Sequence, residues 1–324
     1  MKGHVFSSSW LHRLVQAAAV LALGATVLQV TDIGRNQAHA IRPDLLRHAG
    51  SSTPHVRRPA FMQANKVVVF SLYGDRGMDR DGALANAAAV PLYYLSWRSI
   101  FVVDETIPGV FQDQLREAGG TVIQLPGNYS HWGNAKRIFR FLVLSDPKVE
   151  YALFRDADSR ISAREISSVN TWLQTNKTFH IMRDHPNHWF VLPGGMWGVH
   201  AATLRSKLGD VGGNLTRYVD ERLPNPSWDT DQRWLEDVIW PLVGDDVVDH
   251  DAFHCGDHGN HSTAFPLPRD YHGDFVGLVQ DTTATEMLSN GKLALWPSYR
   301  QHGSATFWTT APEQCRRQPH HIYG

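Results

Sequence analysis

Two aspartates, Asp156 and Asp158, stand one residue apart in "FRDADSR", directly behind the apolar run "VEYALF". In extended backbone, residues i and i+2 share one side, so both carboxylates face the same point. Like charges that close repel each other unless a cation lies between them. A site built only of oxygens suits a hard divalent ion, Mn²⁺ or Mg²⁺, and such ions also bind phosphate oxygens. The spacing therefore offers a cation that grips a diphosphate. The bland alternative makes both aspartates solvated loop residues, with Arg155 and Arg160 as salt-bridge partners. Two further groups carry chemistry. "HCGDHGNH" (His254 to His261) holds enough ligands for zinc in a glycine-rich loop. Asp231 and Gln232 open an apolar-periodic segment, where the helix dipole and free N–H groups already favour a carboxylate as a cap.

These groups matter only if the elements around them place them together. "KVVVFSLYG" is a β-branched run closed by glycine and reads as a buried first strand. "GALANAAAVPLYYLSW" then predicts a helix interrupted near Pro91, "SIFVVDET" a strand, "GVFQDQLREAGG" a helix and "TVIQLP" a strand. "NAKRIFRFLVLSD" predicts an amphipathic helix and "VEYALFRDADS" the next strand. Such alternation implies parallel strands with right-handed crossovers, a Rossmann-like half. Ligands bind beyond the carboxyl ends of strands in these sheets, where Asp156 and Asp158 fall. No GxGxxG fingerprint is present. The second half is less regular. "AREISSVNTWLQT" predicts a helix, "TFHIMRD" a strand, and "HWFVLPGGMWGVH" a strand pair about a Pro-Gly-Gly turn. "DTDQRWLEDVIWPLVG" predicts a helix with Asp229 or Thr230 as N-cap, and "DVVDHD" a last short strand.

Ahead of the first strand, residues 1–13 form a short tail carrying Lys2 and Arg13, and Leu14 to Val30 contain no charge. That run fits either a signal-anchor or a signal peptide, with a small-x-small cleavage site ending at Ala40. Both readings put the remainder across a membrane. Residues 31–65, rich in Pro, Ser, Arg and His, read as a stem, leaving 66–324 as one domain. Sequons at Asn128, Asn176, Asn214 and Asn260 agree with a secretory route, and Cys255 and Cys315 can form one disulfide there. The 31 basic and 32 acidic residues nearly cancel, which argues against nucleic acid as a partner.

"YALFRDADSR" resembles the D-x-D strand of GT-A nucleotide-sugar glycosyltransferases. "RFLVL" with Arg140, "FVLPGGMWGVH" and "DTDQRWL" are similar, in the same order, to the arginine helix, the F-N-S-G-V-M strand and the D-Q-x-x-L helix start of glycogenin-like and galactosyltransferase-like members. Pro and Gly here replace the Asn and Ser of that strand. The resemblance covers roughly residues 66–280. It implies an α/β fold of GT-A type, with a Rossmann-like nucleotide-binding half, a mixed central sheet and an irregular acceptor-side C-terminal half. It also implies a Mn²⁺- or Mg²⁺-dependent hexosyltransferase of the Golgi type, taking a nucleotide-diphosphate sugar and a hydroxyl acceptor on a glycan, protein or lipid. The roles follow from it. Asp156 and Asp158 hold metal and donor, Arg140 reaches the donor, and Tyr73 and Asp104 meet the base or ribose. His250, or else His272, completes the metal, and Asp231 and Gln232 sit at the reacting carbon. Arg183, Asp184, Gly195 and Trp197 face the acceptor. A secreted metal-dependent phosphoesterase and a non-catalytic carbohydrate-binding protein remain as rival readings.

Overall fold

The hydrophobic runs read above become the centre of one sheet. The computed structural model describes residues 66–74, 76–125, 130–224, 226–258, 261–268, 275–279 and Cys315. The tail, the apolar segment, the stem, Asn128, Asn260 and His272 lie outside the described residues. Among the described residues no helix is long and apolar enough to cross a membrane.

The strands are β1 (Lys66–Leu72), β2 (Arg98–Val103), β3 (Thr121–Gln124), β4 (Tyr151–Asp156), β5 (Phe179–Arg183), β6 (Met196–His200), β7 (Val247–Asp251) and β8 (Ser262–Thr263). Their spatial order is β3-β2-β1-β4-β6-β5-β7-β8. β6 runs antiparallel to both its neighbours, and every other pair is parallel. Seven strands thus end at one edge of a mixed sheet, and β6 alone among the described strands begins there.

Alternation along the strands divides the core. Helices α1 (Gly77–Tyr93), α2 (Gly109–Glu117) and α4 (Ala163–Leu173) cover one face, through Ala83, Ala87, Leu115 and Trp172. The other face is covered by α3 (Ser130–Ser145, a tight 3₁₀-type helix kinked at Gly133), α5 (Ala201–Leu208), α6 (Val211–Asp220) and α7 (Thr230–Trp234). α7 runs on through a π turn, Leu235–Ile239, into a 3₁₀ turn, Trp240–Leu242.

Several expectations need correction. α1 begins at Gly77, a turn earlier than read, and carries Pro91 inside it. Helices α5 and α6 were not foreseen. "HWFVLPGGMWGVH" supplies one strand, not two. The carbonyls of Phe190 and Val191 accept from the Arg183 guanidinium, and that of Leu192 accepts from Gln232, so this stretch has no ladder to join. Asp229 precedes α7 but makes no side-chain cap and pairs with Arg233 instead. Asn176 is exposed after α4, whereas Asn214 lies within α6 and accepts a 3.1 Å bond from the Trp234 indole.

Candidate functional site

The site is assembled by aromatic packing beneath it. Phe141 of α3 stacks on Trp234 of α7 (centroids 5.4 Å apart) and meets Phe154 of β4 edge-on at 4.9 Å. One residue before Phe141, Arg140 is consequently held between the end of β4 and the start of α7. Its guanidinium, 2% exposed, donates from Nη1 to Asp156 Oδ1 at 2.9 Å and from Nη2 to Asp231 Oδ2 at 3.0 Å. One buried cation therefore joins the D-x-D edge to the D-Q helix. Burial works against the Arg140 charge, but Asp156 and Asp231 outweigh it and hold the guanidinium pKa above its ordinary value.

Backbone closes in from the third side. Gln232 accepts from Gly194 N at 3.1 Å and donates to Leu192 O at 2.7 Å, lacing the Pro-Gly-Gly loop to α7. A Cβ on Gly194 would sit 2.8 Å from Arg140 Nη2, and one on Gly195 would overlap the Asp156 carboxylate. Only glycine lets β6 begin this close to the charged groups. Below, Asn86 of α1 donates to the carbonyls of Ala157 (3.3 Å) and Ser159 (2.9 Å), fixing the turn between the two aspartates.

Both Asp156 and Asp158 lie at the carboxyl edge, and a third acid, Asp79 of α1, stands beside them. Burial pushes the Asp158 carboxyl up to about 6, aided by the charges of Asp156 and Asp79. Burial likewise raises Asp79, with Asp156 adding to it. On Asp156 burial is outweighed by Arg140, and its pKa falls below the ordinary value. Arg76 offsets the other two, at 3.7 Å from Asp79 and 3.8 Å from Asp158, with Arg137 also acting on Asp79 and Arg160 on Asp158. The Asp156 side chain is 45% exposed, so its carboxylate remains open to solvent. These oxygen donors are of the kind a hard divalent cation takes, but the three carboxylates do not all lie within 4.8 Å of one another and would have to draw together to share one ion.

No protein-family model matches the chain, and no curated protein matches it. Among solved structures it is similar to the glycosyltransferase GlyE of Streptococcus pneumoniae, at 14% identity and a TM-score of 0.36, over 58% of this chain and 45% of GlyE. It is also similar to a 4-diphosphocytidyl-2C-methyl-D-erythritol synthase of Anaerococcus prevotii (10% identity, TM-score 0.38, covering 74% of this chain and 99% of that one). A third is the mannosyltransferase PcManGT of Pyrobaculum calidifontis, in complex with GDP-Man and Mn²⁺ (15% identity, TM-score 0.35, covering 59% and 58%). The chain spans less than half the length of GlyE and under two thirds of PcManGT.

The other expected site residues divide. Tyr73 follows β1 at the same edge, partly buried, with its hydroxyl donating to Lys136 O at 2.9 Å and its pKa raised by burial. Asp104 also lies at that edge but is turned inward, fully buried between Lys136 and Thr106, so both oxygens are already used. Gly195 stands against Asp156, and Gln232 is a positioning residue whose carboxamide is committed to the loop.

His250 is corrected outright. It aligns with Met182, Met196 and Arg155 across the sheet, three strands from β4, or about 14 Å at the usual strand spacing. That row faces away from Asp156. His250 instead bonds His180 at 2.9 Å in the core. Arg183 and Asp184 cannot face an acceptor: both are fully buried, Arg183 against Asp249 and Asp251, Asp184 against Arg164. Trp197 is also core, stacked on Phe154 at 4.6 Å. The zinc reading fails because Cys255 is bonded to Cys315, while His254, His258 and His261 go separately to Pro186, Trp189 and Asp245.

Asp79 and Asn86 were missed. The pair "DRD" in "GMDRDG" was the available signal for Asp79, hidden because the helix was read as starting at Gly82.

Proposed function

We propose that the protein transfers a sugar from a nucleotide-diphosphate sugar, with UDP as the first nucleotide to test, to a hydroxyl acceptor. The observation that carries this reading is the Arg140 bridge between Asp156 and Asp231 at the carboxyl edge of the sheet. Asp156 and Asp158 would hold Mn²⁺ or Mg²⁺, which supplies positive charge for the departing diphosphate. Arg140 keeps the Asp156 carboxylate ionised and in place, and adds a fixed cation where leaving-group charge grows. Gly194 and Gly195 let the backbone close against Arg140 and Asp156 and so hold those two groups in place for the donor. Asp231, held by the same guanidinium, lies where the transferred carbon meets the acceptor. The product anomer assigns its role: inversion makes it the base that takes the hydroxyl proton, retention makes it the group that holds the sugar.

Titration calorimetry with Mn²⁺ and a panel of UDP- and GDP-sugars, followed by a nucleotide-release assay, tests the reading. Donor binding with release that disappears in Asp158→Asn supports it. Binding without turnover favours a carbohydrate-binding protein, and hydrolysis of simple phosphoesters without donor binding favours the phosphoesterase. The Leu14–Val30 segment would act as signal-anchor or signal peptide and place the domain in an oxidising lumen, a placement that the Cys255–Cys315 bond supports. Protease protection in microsomes checks that placement.

A further inference from the structure

Two tryptophans stand out because they are not in the core. Trp189 is 58% exposed and Trp228 is 66% exposed, whereas Trp97, Trp132, Trp172, Trp197 and Trp234 are buried. Leaving an indole in water forgoes a large apolar gain, so an exposed one needs a reason. Both occur on the two loops that enter the site. Trp189 lies five residues before Gly194, on the connection from β5 to β6, and Trp228 three residues before Asp231, at the entry to α7. The Gln232 carboxamide ties those loops together through Gly194 and Leu192. Trp189 is also held firmly: Phe190 stacks on it at 4.2 Å with planes 22° apart, and its carbonyl accepts from His258 at 2.9 Å. Phe190 covers part of the indole, and more than half of the residue stays exposed.

We infer that Trp189 and Trp228 form the acceptor-side binding surface, and that the acceptor is a glycan of at least two sugar rings rather than a lone hydroxyl compound. A rigid indole presents a flat apolar face with negative charge on its π cloud, and the C–H-rich face of a pyranose complements it while its hydroxyls stay in water. One platform serves one ring. Two platforms on separately anchored loops serve an extended chain whose end reaches Asp231. This rests on the transfer reading above, but glycan binding is measurable without turnover.

The test uses the full chain with Mn²⁺ and three probe sets: gluco-, manno- and galacto-configured tetrasaccharides, each beside its monosaccharide. Binding is followed by tryptophan fluorescence and saturation-transfer NMR. One tetrasaccharide series should bind well above its monosaccharide, and Trp189→Ala and Trp228→Ala should each weaken it about tenfold, as expected for losing one stacked face. Acceptor KM should rise by the same factor, with kcat nearly unchanged. No glycan binding, or variants that bind the tetrasaccharide as tightly as the unaltered protein, overturns the inference even where donor hydrolysis succeeds. Glycan binding lost in the variants of a protein that ignores every nucleotide sugar keeps this surface and removes the transfer reading.

Discussion

Two D-x-D pairs end strands of the same sheet, and they have opposite fates. Asp249 and Asp251 finish β7 and share the Arg183 guanidinium, with 2.6 Å to both oxygens of Asp249 and 3.2 Å to Asp251. Asp251 also accepts from the backbone N–H groups of Phe253 and His254. Asp156 ends β4 and Asp158 lies in the turn just beyond it, and this pair has less. Arg140 is divided between Asp156 and Asp231, and Asp158 has Arg76 no nearer than 3.8 Å. The spacing of two carboxylates is thus not what makes a cation site. What decides is whether the chain has already supplied the positive charge. At β7 the acids are part of the scaffold; at β4 they are left wanting.

The contrast breaks most visibly through Arg183. Arg183→Met leaves two buried carboxylates uncompensated and should cost about 3–5 kcal/mol of folding stability. Urea unfolding measures this, and a loss under about 1 kcal/mol, the range of a surface pair, would erase the distinction. Asp158→Asn should do the reverse. Turnover of the donor should fall on the order of 10³-fold, while the melting temperature rises. The sign follows from the pKa: a carboxyl raised to about 6 contributes stability only below the ordinary carboxylate pKa, and that contribution is lost as pH climbs through about 6. At neutral pH an uncharged side chain there relieves the fold. Gly195→Ala should misplace the Asp156 carboxylate and lower turnover about 10²-fold, with manganese affinity falling in calorimetry.

The His180–His250 pair gives a smaller and separate effect. Burial depresses both, His180 with His250 and Arg155 adding to it, and His250 to about 3 with Arg164 adding and Asp184 opposing. Unfolding therefore takes up protons. Stability is full above about pH 6.5 and declines as pH falls toward 3, by about 1–2 kcal/mol over the first unit. Melting temperatures across that range should show the slope, and the double substitution of His180 and His250 to Gln should flatten it. Smallest of all, Arg76→Ala removes a weak competitor and should tighten Mn²⁺ binding about threefold, since exposed pairs are worth under about 1 kcal/mol. Weaker binding instead would make Arg76 a helper of the site.

The donor half was legible because its strands are short apolar runs, β-branched in β1 to β3, with Asp104 and Asp156 at the ends of β2 and β4. Asp156, Asp158, Arg140 and Asp231 were all named from short motifs, and packing on Phe141 brings Arg140, Asp156 and Asp231 together. The other half misled for one physical reason. Arg183 and Asp184 look like surface charges until their partners, Asp249, Asp251 and Arg164, are known, and those lie 20 to 68 positions away. Trp197 in "GGMWG" looked available, whereas among the described residues the exposed indoles are Trp189 and Trp228. Pairing across such distances leaves no local trace in the sequence.

The reversed strand β6 has a consequence for how such a protein diversifies. Because it starts at the working edge, its two leading glycines are pinned by neighbouring charge and tolerate almost no replacement. The stretch just upstream, Pro186 to Val191, is held through backbone carbonyls, which accept from Arg183, His254 and His258 and so do not fix side-chain identity. Side chains there, Trp189 included, can change together with the acceptor while the diphosphate corner stays as it was.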